Sequence, residues 1–267
     1  MPQWIELEGL SNLRDVGGTP LVSGGEVRSG QLLRSDNLQD LTADDIAQLR
    51  ELGLRDVIDL RSAFERHHVG ISPLVDEDGM TVHPLSYLNE VGLEGVTNLD
   101  EAAELIGNAL PFQPRGSVPV TDPVVSTYLG FLADRPAEVL TALRIIAHGE
   151  GATLVHCAAG KDRTGVTIAL ALLLVGADPD AVVADYALSS ERVPAVVERM
   201  MRNPIYGKGL AGRPMDSHLT RPETMQAFID YIEAEYGPVS EGGLAQMMAG
   251  MGWTEEDQAA LEARLVG

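Results

Sequence analysis

Residues 156–165, His-Cys-Ala-Ala-Gly-Lys-Asp-Arg-Thr-Gly, lie between two continuous apolar runs, and this constrains the fold more than any other feature of the chain. The run before them, 152–155, has the length of a buried strand, and the run after them, 166–175, reads as a buried helix. A strand and a helix apolar on all sides must be covered all round. With further strands alternating with helices along the chain, the expected fold class is α/β: a mainly parallel central sheet with helices on both faces. The loop carries the only cysteine of 267 residues.

Cys157 and Arg163 stand six positions apart, with the small residues Ala158, Ala159 and Gly160 directly after the cysteine. A free thiol has a pKa of about 8.5, and the partial positive charge at a helix start lowers it. Successive inward amides form a nest for a dianion, and small residues let the backbone close around it. Gly160 supplies a positive φ at little steric cost. Arg163 is planar, permanently charged and able to bond two phosphoryl oxygens. The chemistry this suits is attack on a phosphate ester, with Ala158, Ala159, Gly160 and Lys161 around the bound group. The Thr164 hydroxyl is placed to donate to the sulfur, and His156 to orient the loop. Against this stands an inert buried cysteine at a tight turn, which would strand three charges, Lys161, Asp162 and Arg163, in a core.

The loop resembles the phosphate-binding loop of cysteine-dependent protein tyrosine phosphatases, in the form found in the bacterial protein-tyrosine phosphatase B type. Asn12-Leu13-Arg14-Asp15-Val16-Gly17-Gly18, Leu33-Arg34-Ser35, Asp59-Leu60-Arg61-Ser62 and Ala184-Asp185-Tyr186 match that branch in kind and order. The resemblance implies Cys157 as nucleophile and Arg163 as phosphate clamp, and it links Lys161 to broad or lipid specificity.

Cleaving such an ester needs a proton for the leaving oxygen. The Trp-Pro-Asp run of familiar tyrosine phosphatases is absent: Trp4 precedes Ile5 and Trp253 precedes Thr254. Asp162 is therefore the first candidate acid, and the resembled branch also has aspartate there. Its other reading is a structural ion pair; Glu90 and Asp59 are the reserves. Arg61, just past the probable strand end at Asp59, has two open readings: bonding the phosphate loop from behind, or an ordinary helix-start ion pair.

One cysteine excludes an internal disulfide framework and argues against thiol-relay arsenate reductases, which need resolving cysteines. The polar, acidic residues 1–8 are unlike a signal peptide, and the longest apolar run, ten residues, is too short to span a bilayer, so the expectation is a cytoplasmic protein without a membrane segment. The net charge of −21 argues against nucleic-acid binding. Charge is segregated, however: residues 192–221 carry +4, fit to steer an anion or merely solvated. The six histidines lack metal-ligand spacing, so no metal and no cofactor is expected.

The expected organisation is a single phosphatase domain over 1–267, with an acidic insertion at 89–123 holding a short helix at 100–110. Helices are expected after Thr42, which has Asp45 three positions on, and at 123–133, 136–147, 180–189, 193–201, 222–236, 243–248 and 254–265. Residues 190–221 mix apolar groups with arginines and are expected to form a lid, the competing reading being a hairpin packed on the core. The expected partners are phosphorylated proteins, with phosphotyrosine first, or phosphoinositides. A weak phosphate-binding module without an effective acid is the alternative, and sulfur transfer of the rhodanese kind a third.

Overall fold

The computed structural model describes residues 3–88 and 122–266. Six strands are found there: β1 (Gln3–Trp4), β2 (Arg14–Asp15), β3 (Leu32–Ser35), β4 (Leu54–Asp59), β5 (Thr81–Pro84) and β6 (Ala152–His156), in the order β1-β2-β3-β6-β4-β5. The four strands β3, β6, β4 and β5 run parallel, and the short β1 and β2 add antiparallel pairs at one edge. The expected insertion, its 100–110 helix and Glu90 lie outside the described residues.

Side chains alternate across a strand, and here they divide between two cores. Leu32, Ile58 and Val155 face one side with most of the helices. Leu33, Val57 and Leu154 face the other, against Leu49 of helix α1 (Ala43–Glu51) and leucines of the N-terminal loops. β6 therefore lies mid-sheet, buried along its whole length. Its register sets His156 level with Ser35 and Asp59, so three carboxyl ends open on one side, where sites form in parallel sheets.

Helix starts follow the capping rules. Thr42 with Asp45 opens α1, and Ser62 with Glu65 opens α2 (Ala63–Val69), which was not foreseen. α3 (Pro123–Asp134) and α4 (Pro136–His148) both carry proline in the first turn. The helix after the central strand, α5 (Asp162–Leu174), begins four residues earlier than its apolar run suggests. Then come α6 (Pro179–Leu188), α7 (Val193–Met201) and α8 (Pro204–Leu210), the last also unforeseen. α9 (Pro222–Tyr236), α10 (Gly243–Met251) and α11 (Glu255–Leu265) close the layer, α11 with a Thr254–Asp257 capping box. No helix among the described residues is long and apolar enough to cross a membrane.

Candidate active site

Strand β6 delivers Cys157 to a loop that ends where α5 begins, so Asp162 and Arg163 occupy the first helical turn. Gly160 has φ +68°, and a Cβ there would come within 2.4 Å of the Ser35 carbonyl, so the loop presses on the end of β3 where only glycine fits. Asn12 Nδ2 donates to the Ala159 and Gly160 carbonyls at 3.0 and 3.2 Å, and Arg34 Nη2 donates to the Gly160 carbonyl at 2.9 Å. In a trans peptide C=O and N–H point oppositely. The amides of Gly160 and Lys161 therefore face away from Asn12 and Arg34.

Behind the loop is a closed polar network. Arg14 donates to Asp185 at 2.8 Å, to Asn12 Oδ1 at 2.6 Å and to Ser189 Oγ at 3.0 Å; Arg34 donates to the second Asp185 oxygen at 2.5 Å. Burial and the neighbouring Arg34 pull the Arg14 guanidinium down to about 10, against the opposing pull of Asp185. Asp185, although burial alone would raise it, is held below its ordinary value by the two arginines. Charges this deep are stable only when paired.

Arg163 is held from the other side by Glu65, whose carboxylate takes both guanidinium nitrogens at 2.6 and 3.0 Å, the Ser62 amide at 2.8 Å and the Tyr206 hydroxyl at 3.0 Å. Burial works against both charges, but the pair prevails: Arg163 is raised by Glu65 and Cys157, and Glu65 is lowered by Arg163. Sequence reasoning passed over Glu65. Its signal, Ser62-x-x-Glu65, is a capping box, and the same carboxylate both caps α2 and fixes the arginine.

Other residues fall as follows. Lys161 Nζ donates to the His218 carbonyl at 2.7 Å and stands 3.7 Å from Asp162 Oδ2. Thr164 is fully buried and its hydroxyl takes no hydrogen-bond partner among the described residues, the Cys157 sulfur included. His156 is fully buried, its ring lowered to about 4 by burial against the pull of Asp59, so it is neutral near pH 7. Arg61 does not bond the phosphate loop: it pairs with Asp59 at 2.7 Å and donates to the Gly70 carbonyl, the helix-start reading. Asp59 is correspondingly held at about 2, unfit to carry a proton to substrate.

Cys157, Ala158, Ala159, Lys161, Asp162 and Arg163 line one cavity of about 90 Å³. Leu88 and Phe131 form a wall; Val193, Val196, Val197 and Met200 of α7 and Leu210 of α8 form an apolar cover, with Arg213, Ser217 and His218 at one side. Asp162 is the one carboxylate lining it among the described residues. Its Oδ1 accepts from the Tyr128 hydroxyl at 2.7 Å, a contact no local motif announced. Among the described residues no group of three or more His, Cys, Asp or Glu side chains is arranged to hold a metal ion. The basic 192–221 segment is largely paired: Arg192 with Glu6, Arg199 with Asp36 and Asp40, Arg202 with Glu198.

This geometry brings a cysteine and a paired arginine together on one strand-to-helix loop, and comparison with known proteins gives the family. The tyrosine phosphatase family profile matches residues 5–267, and the chain belongs to that family, whose members hydrolyse phosphoric monoesters. Triple specificity protein phosphatase PtpB of Mycobacterium tuberculosis is 33% identical over 220 residues, covering 73% of this chain and 72% of its own. A Cupriavidus necator protein provisionally named a tyrosine-protein phosphatase is 30% identical over 236 residues, covering 88% and 81%. The crystal structure of P. aeruginosa TpbA aligns with 85% of this chain and 95% of its own at 19% identity and a TM-score of 0.38.

Proposed function

We propose that the protein cleaves phosphomonoesters through a phosphocysteine, with Asp162 as proton donor. The Cys157 thiolate attacks phosphorus while Arg163 and the loop amides hold the phosphoryl oxygens. The P–O bond to the leaving group breaks, and Asp162 gives its proton to that oxygen. Water then attacks the phosphocysteine, the Asp162 carboxylate takes the water's proton, and the thiolate departs with release of inorganic phosphate. Thr164, in the first turn of α5 with an uncommitted donor, is the group assigned to stabilise the departing sulfur.

The observation that carries this reading is Asp162 beside Cys157 and Arg163 in one cavity, with no second carboxylate lining it among the described residues. A weak phosphate-binding module would lack such an acid. Residues 190–221 serve as a lid, since α7 and α8 cover the cavity with apolar side chains. The apolar lining suits the ring of an aryl phosphate. Phosphotyrosine is thus the first substrate; the Mycobacterium relative is named a triple specificity protein phosphatase, which supports breadth, and phosphoserine, phosphothreonine or phosphoinositides are the further candidates. The test is a panel of phosphopeptides and phosphoinositides with wild type and Cys157→Ser. Turnover lost in the variant, with an acid-stable phosphoryl adduct trapped on Cys157 in wild type, sustains the mechanism; turnover surviving in Cys157→Ser refutes it.

A further inference from the structure

The carboxyl group that delivers the proton is held from outside the loop. Tyr128, fully buried on α3, donates to Asp162 Oδ1 at 2.7 Å, and the Tyr186 hydroxyl of α6 lies 2.7 Å from the same phenol oxygen. A phenol has one proton. With the Tyr128 proton on the carboxylate, Tyr186 is the donor in the second bond. Burial, and next the Asp162 charge, raise both phenols above their ordinary value, so both remain protonated donors at neutral pH.

The chain is built to keep these phenols in place. The Tyr128 ring lies edge-on to Tyr186 and Phe228 and stacks with Phe131 at centroid separations of 6.3, 6.0 and 6.0 Å. A Cβ at Gly165 would fall 2.8 Å from the Tyr186 ring. The glycine after Thr164 thus makes room for the second phenol. With Oδ1 taken, Oδ2 is the oxygen left to carry the mobile proton; it is also the one near Lys161.

We propose, resting on the assignment of Asp162 as acid, that Tyr128 and behind it Tyr186 are positioning residues that hold this carboxyl with Oδ2 presented to the leaving-group oxygen. A short aspartate in a first helical turn otherwise has helix amides to turn to, and the phenol on Oδ1 competes with that alternative. Neither tyrosine touches substrate.

The test measures kcat for Tyr128→Phe, Asp162→Asn and the double variant on aryl phosphates, from dinitrophenyl (good leaving group) to phenyl (poor). General acids contribute about 10²- to 10⁴-fold, so losing the orientation but not the acid is expected to cost roughly tenfold on phenyl phosphate and threefold or less on the dinitrophenyl ester. The double variant is expected to be no slower than Asp162→Asn on phenyl phosphate, because the phenol acts only through the carboxylate. Vanadate affinity is expected to stay within about twofold, unlike that of a variant with a distorted loop. Equal loss on both esters, or losses that multiply in the double variant, overturns the proposal. Should Tyr128→Phe not fold, Tyr186→Phe carries the same test, with about threefold loss expected on phenyl phosphate alone. If Asp162→Asn is selective for the poor leaving group and neither tyrosine variant is, the positioning role fails and the acid stands. If Asp162→Asn itself loses equally on both esters, the acid assignment fails first.

Discussion

The phosphate loop sits between two structures of opposite chemistry. Behind it, Arg14, Arg34, Asn12, Asp185 and Ser189 form a sealed set of charge-assisted hydrogen bonds, with the Arg14–Asp185 and Arg34–Asp185 side chains no more than 1% exposed. In front, α7 and α8 lay valines and methionine over the cavity and are pinned at a few polar points, among them Arg199 on Asp36 and Tyr206 on Glu65. Directional bonds with buried charge permit one geometry, because any misplacement leaves a charge unpaired. Apolar contact is tolerant of sliding and can be undone and remade. The backing and the apolar side chains of α7 and α8 in front of the loop are therefore held by different forces.

The largest effect is expected from breaking the backing. Asp185→Asn leaves two buried guanidiniums facing each other, and removing one partner of a buried pair costs about 3–5 kcal/mol. Urea unfolding checks this. A loss under about 1 kcal/mol would mean that the network does not secure the loop. Acid acts on a different buried group, at the end of β6. The folded-state pKa of His156 is depressed from 6.5 to about 4 by burial, so its contribution is fully present above pH 6.5 and is lost as pH falls towards 4. At about 1.4 kcal/mol per pKa unit, this amounts to roughly 3 kcal/mol. Stability measured from pH 7 to 4 is expected to fall, and to fall less in His156→Gln.

Glu65 joins the loop to the cover, since it holds Arg163 and accepts from Tyr206 of α8. Glu65→Gln keeps the volume and the Ser62 cap but removes the charge. Hydrogen bonds to charged groups contribute about 1.5–3 kcal/mol, so vanadate binding is expected to weaken roughly 10- to 100-fold. Titration calorimetry reads it directly, and unchanged affinity would show that Arg163 holds its pose without the carboxylate.

What was legible in the sequence follows the same division. The loop was plain because its parts are contiguous, and the sheet because β6 and its helix are apolar on every side. Asn12, Arg34 and Asp185 stood in stretches that matched a known family, yet nothing local says that they meet: Arg34 and Asp185 are 151 positions apart. Tyr128 lies on a helix whose other buried residues are mostly apolar, so nothing local sets its hydroxyl apart. The start of α5 was placed late because Asp162, Arg163 and Thr164 are polar, although a first turn whose amides face a site is where polar residues belong. Helix α8 was missed because Gly207 and Gly209 depress helix propensity, although Asn203 caps it and Pro204 opens it.

The smallest effect concerns the cover alone. Asp36 is buried and raised above its ordinary value by that burial, in spite of the opposing pull of Arg199 and of the Ser11 and Asn12 amides. A carboxyl with a raised pKa takes its proton sooner as pH falls, and once neutral it no longer pairs with Arg199. The tether holding α7 therefore weakens on acidification, whereas the apolar contacts of Val196 and Met200 do not change. Hydrogen exchange at 193–210, corrected for the intrinsic rate, is expected to quicken between pH 7 and 5. Arg199→Ala is expected to quicken it at both values and to erase the difference. Exchange that stays the same at both pH values in wild type would assign the closure of the cover wholly to its apolar face.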